Sequence, residues 1–168
     1  MTKKLIVLLL AIAPFAAIAQ NQIAYVNTAE IFSLMPEIPE LENQLEKKQQ
    51  EIVESEQAIR DEFNKKAEEF QAKVETASES AKADMQKQLE QLEERYNMFV
   101  QNSQREMGEL QQRLIAPVQD KIQRAIKEVG DEKGFAYILN VATQDSPIVY
   151  INDNTVDATP LVKAKLGI

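Results

Sequence analysis

The chain has no cysteine and no histidine, and only four glycines and six prolines in 168 residues. Without Cys there are no disulfide staples, and no stray thiol to become a liability in an oxidising compartment. Without His or Cys a structural zinc site has no customary ligands. There is also no His to activate a nucleophile, no P-loop and no dinucleotide fingerprint. These absences argue against an enzyme, and no metal, cofactor or catalytic residue is expected. The longest gap lies between Pro39 and Gly108, where Pro, Gly, Cys and His are all missing. Glu, Gln, Lys, Ala and Leu dominate there, with an apolar residue every three or four positions. A helical run of that length is too long for one globular core.

Residues 1–19 read as a cleaved secretory signal peptide. Lys3 and Lys4 open it, Leu5 to Ala13 are apolar, and Ala17-Ile18-Ala19 forms a small-x-small cleavage site. The apolar stretch is shorter than the ~20 residues of a spanning helix. The leader carries two Lys and no acids, so the remaining chain has 17 basic and 27 acidic residues, a net −10. Nucleic acid and anionic lipid are therefore poor partners.

Ile23 to Val26 reads as a short strand. Asn27 with Glu30 three positions later resembles a capping box. A short helix then carries Ile31, Phe32, Leu34 and Met35, and residues 20–38 form the first piece of a small body. Residues 39–116 read as a helical hairpin. Its outgoing stripe includes Leu41, Leu45, Ile52, Ile59 and Phe63. The returning stripe includes Leu89, Leu92, Tyr96, Phe99, Met107 and Leu110, with Ser103 as a stripe position. The small polar run Thr76 to Ser80 is the best turn, placing the tip near 76–81. Each arm is then about 38 residues, roughly 57 Å long.

Pro117 is expected to bend the returning helix and to mark the boundary between arm and body. Residues 117–168 complete the body. Val118, Ile122 and Val129 continue as a helix, Gly134 stops it, and Phe135 to Val141 is a strong strand. Thr143 to Pro147 reads as a turn, with Ile148 to Ile151 pairing back as a hairpin. Asp157 can cap a last short helix. The fold class is α+β, a long antiparallel helical hairpin on a small β body. That body is undersized and has open sheet edges, so oligomerisation is expected to complete it. Ile23, Tyr25, Phe135, Tyr137, Leu139, Ile148 and Tyr150 are the candidate interface residues.

Leu45, Ile52, Ile59, Leu92 and Leu110 read as the seam between the two helices. Val53, Met98 and Ile115 lie off the stripe and are the candidate contact residues for a partner. The adjacent acids Glu68-Glu69 and Glu93-Glu94 point about 100° apart on a helix. They do not converge and read as solvated surface.

The order Ile23-Ala24-Tyr25-Val26-Asn27, Ile31-Phe32, Pro117 to Lys121-Ile122, Ala125-Ile126, Glu132-Lys133-Gly134-Phe135, Ile148 to Ile151 and Leu166-Gly167 resembles the Skp (OmpH-like) family of periplasmic chaperones. The resemblance covers the chain after the leader. It implies a homotrimer in which strands of three subunits form a β body and three helical hairpins surround a cavity. Unfolded outer-membrane β-barrel proteins would be held there without ATP. Well-known members of the family are basic, whereas this chain is acidic. Binding to lipopolysaccharide or membrane is therefore not carried over. The rival reading is an exported coiled-coil spacer of the cell envelope with no unfolded client.

Overall fold

A computed structural model describes residues 22–142 and 148–168. The expected leader and the expected turn at Thr143 to Pro147 lie outside the described residues. The elements run β1 (Gln22–Val26), α1 (Thr28–Ser33), α2 (Ile38–Lys73), α3 (Glu79–Lys133), β2 (Phe135–Asn140), β3 (Val156–Asp157) and α4 (Thr159–Leu166). Two compact units divide the chain. One is Glu37–Val118; the other joins the described residues up to Pro36 with Gln119–Ile168.

In the second unit the three strands form one sheet in the order β2-β1-β3, and both pairings are parallel. This corrects the expected hairpin. Ile148 to Ile151 carries no strand, and the third strand is only Val156–Asp157. The local composition of Ile148 to Ile151 favours extended chain, but such propensity does not choose a pairing partner. A turn at residues 152–155 leads the chain to the free edge of β1. The Asn152 side chain accepts from the Asn154 amide, and the Thr155 amide donates to the Asn152 carbonyl at 2.8 Å. The Ala158 amide then donates to the Tyr25 carbonyl at 2.8 Å.

Buried side chains of this unit come from β1 (Ala24, Val26), from α1 and the residues after it (Ile31, Met35), from α3 (Ile122, Ala125, Val129) and from α4 (Val162). Each fully buried Ile or Val contributes roughly 1.5–3 kcal/mol. Gly130 lies against β2, where a Cβ would make an ordinary van der Waals contact with Ile138 Cδ1 at 3.5 Å. Gly134 ends α3 with φ +70°, a conformation that disfavours a side chain.

The expected capping box is half formed. The Asn27 side chain accepts from the Glu30 amide at 3.1 Å. The reciprocal bond is absent, because Thr159 Oγ1 takes the Asn27 amide at 3.0 Å and Glu30 pairs with Lys163 at 2.8 Å. Asp157 accepts from the Thr159 amide at 2.8 Å, one residue outside the first turn of α4.

The first unit is the helical hairpin. Lys48 pairs with Glu106 at 2.8 Å, Glu56 with Tyr96 at 2.8 Å, and Glu62 with Arg95. Partner numbers fall as α2 advances, so the helices are antiparallel. Leu41, Ile59, Leu92 and Ser103 are buried, whereas Leu45, Ile52, Leu89 and Leu110 are half-buried. The seam is narrow, as two helices packed on one stripe each require. The helices break at Val74 to Ser78, where Ser78 Oγ accepts from the Ala81 amide at 3.2 Å and opens α3. Pro117 does not interrupt α3, which continues to Lys133. A proline removes one helical hydrogen bond, and Val118 beside it is almost fully buried.

Candidate interaction surfaces

The first surface is a sheet face. Along β1, Ala24 and Val26 are buried, and the alternate residues Ile23 and Tyr25 point to the opposite face. The register sets Ile23 beside Tyr137 and Tyr25 beside Leu139. Ile23 is 48% exposed, Tyr137 66% and Leu139 40%. Ile148 and Tyr150 line an open recess of about 600 Å³ together with Ile23, Tyr25 and Leu139. Six of the seven candidate interface residues therefore gather on one side of the sheet. The seventh, Phe135, is half-buried opposite Gln22, and a register shift separates it from that row. Strict alternation could not foresee this irregularity. Val149 and Ile151, absent from the candidates, are also exposed.

The second surface is the arm. Val53 and Met98 are each 52% exposed, whereas Ile115 is half-buried. Helical geometry sorts the side chains at about 100° per residue. Val100, three residues before the buried Ser103, turns to one side of the seam; Glu106, three residues after it, turns to the other. Two grooves open on the Val100 side. One, of about 490 Å³, is floored by Ile52, Phe99, Val100 and Met107. The other, of about 430 Å³, is floored by Ile59, Phe63 and Leu92. Tyr96 lines both. The same count places Val53 and Ile115 on the groove side. Met98, five residues from Ser103, falls about 140° round the helix on the far side. The cross-helix pairs Lys48–Glu106 and Glu62–Arg95 lie on that far side too.

Between the grooves Tyr96 joins a polar node. Its hydroxyl donates to Glu56 at 2.8 Å and accepts from Arg60 at 2.9 Å. The Arg60 guanidinium sits 5.5 Å from the ring centre. The electron-rich ring face attracts a cation placed there. The hydrogen bond from Arg60, followed by that from Tyr96, holds the Glu56 carboxyl below the usual carboxylate range. Across the seam the bond from Lys48 does the same for Glu106. The node has a local signal, because Glu56 and Arg60 are one helical turn apart. Its link to Tyr96 spans 40 positions and has no signal in the sequence.

Among the described residues no group of three acids, His or Cys is placed to hold a metal ion, and no helix is long and apolar enough to cross a membrane. Glu93, Glu94 and Glu68 are exposed, and Glu69 pairs with Lys66 at 3.5 Å. The chain offers two apolar surfaces, one on the sheet and one along the arm.

Residues 22–166 match the family described as outer membrane protein (OmpH-like). A comparison with curated proteins gave no match. The matched span takes in both units, from β1 to the last turn of α4, and on that extent the chain belongs to the OmpH-like family.

Proposed function

We propose that this protein is an ATP-independent holdase chaperone of the periplasm, reached through a cleaved signal peptide. It binds unfolded outer-membrane β-barrel proteins and prevents their aggregation. Membership of the OmpH-like family supports this. So does the observation that carries the reading, a long hairpin whose seam leaves apolar side chains open to solvent. Three copies join through the open sheet face built on Ile23, Tyr25, Tyr137 and Leu139, and three arms enclose the client. Holding comes from many weak contacts along the arms, with Val53, Met98 and Ile115 the candidates legible in the sequence. Such contacts need no nucleotide, and release follows from their individual weakness. The acid excess supports no binding to lipopolysaccharide or membrane.

The alternative, an envelope spacer without a client, draws support from the Ser78 cap and the cross-helix ties, which stiffen the arm. One assay separates the two readings. An unfolded β-barrel membrane protein is diluted from urea with and without this protein, and light scattering is followed. A holdase suppresses scattering near one oligomer per client. A spacer leaves it unchanged at any ratio.

A further inference from the structure

The arm's two sides differ in chemistry as well as in shape. The groove floors are apolar and partly aromatic. Their margins carry Gln49, Asn64, Gln104 and Gln111, four uncharged amides with no side-chain hydrogen bond to another described residue. The charged lining groups Glu56 and Arg60 neutralise each other as a pair at 2.6 Å, leaving Glu93. The far side is richer in ions: Lys47, Lys48, Glu51, Glu106, Glu109 and Arg113 line one recess there, together with Gln44 and Leu110.

We propose that the groove side of each arm is a track for one extended, unpaired polypeptide segment. This deepens the chaperone reading and rests on it. An amide side chain both donates and accepts. That suits a strand of client whose backbone N–H and C=O groups have no partners, and not a folded surface whose groups are already paired. The floor then takes the client's alternate apolar side chains, which point to one face at every second residue. From Gln49 to Asn64 the arm spans roughly 22 Å at 1.5 Å per residue, the length of about seven extended residues. Recognition by amides and apolar surface reads neither the sequence nor the charge of the client. Val53 and Ile115 extend the track, and Met98 lies outside it.

The test uses the whole mature chain. A photo-crosslinking amino acid is placed at Gln104, on the groove margin, or at Glu109, on the far side; both positions are exposed. Each protein meets an unfolded β-barrel membrane protein diluted from urea, and cross-linked yield and light scattering are measured together. A several-fold higher yield at Gln104 is expected. A variant combining Asn64→Ala, Gln104→Ala and Gln111→Ala should lose several-fold in holding capacity with helicity intact, because alanine is the best helix former. A tenfold rise in salt should change capacity by less than about twofold, because little of the contact is ionic. Equal or reversed cross-linking, or full holding by the alanine variant, overturns the track while leaving the chaperone reading in place. No suppression of scattering by the parent protein overturns both.

Discussion

Gly134 has φ +70° at the end of α3. Gly134→Ala should destabilise the protein by about 1–2 kcal/mol, the cost of a left-handed L-residue, read as a lower urea midpoint. Gly108 is the opposite case. It sits inside α3, and a Cβ there meets nothing within 4 Å. Gly108→Ala should raise arm stability by about 0.5–1 kcal/mol, seen as a higher melting temperature by circular dichroism. The acid response follows from Glu56 and Glu106. Both carboxyls titrate below the usual range in the folded arm, so their contribution is fully present above the unfolded carboxylate pKa. It is lost as the pH falls through the folded values. The melting temperature should drop across that acid window, and less steeply in Glu56→Gln. An equal slope in parent and variant would show that Glu56 takes no part.

At the scale of elements, the arm and the sheet should differ in mobility. The arm buries few side chains fully, and its break at Val74 to Ser78 is half-buried at best. β1 is the central strand, with Ala24 and Val26 almost completely buried. Amide exchange should be fast at 74–78 and slowest at β1, ahead of the edge strand β2. Comparable protection in both would mean that the arm is packed against a partner. The seam can be separated from the surface. Leu92 is 7% exposed, and Leu92→Ser should destabilise the arm by up to ~2–5 kcal/mol, less at a seam open to solvent. Met98 is half exposed, and Met98→Ser should leave the melt unchanged. Ile115 is half-buried, so Ile115→Ser should show a loss of helix stability before any loss of binding.

For the whole molecule, the open sheet face is the deciding feature. Ile23, Tyr137 and Leu139 leave a contiguous apolar patch on the isolated chain, which is the kind of surface that soluble proteins cover. Native mass spectrometry of the chain without residues 1–19 should give a trimer at micromolar concentration. Tyr137→Lys should shift it toward monomer while far-ultraviolet circular dichroism stays the same, because Tyr137 is 66% exposed within one chain. A parent protein that is monomeric at that concentration would remove the enclosed cavity from the proposed mechanism. Chelation with EDTA should leave holding capacity unchanged, because no metal enters the mechanism.

What the sequence determined by itself is local. Helices α2 and α3 follow from apolar spacing of three and four and from the absence of Pro and Gly over their distal parts. Gly134 stops α3 because it adopts positive φ. Asn27 starts α1 because its side chain reaches an amide three residues on. The antiparallel return was legible too, because the helical run must bring its two flanking strand segments together. Other features were decided by residues far apart. The parallel direction of the sheet and its two-residue third strand have no periodic signature. The third strand is held beside β1 where Ala158 meets Tyr25 and, just after it, Thr159 meets Asn27, 132 positions away. The register shift that sets Phe135 apart is likewise a property of the pair of strands. The separation of groove from charged face needed the rotation of each helix about the seam. A stripe shows which residues are buried; its two margins look alike until a second helix lies against it.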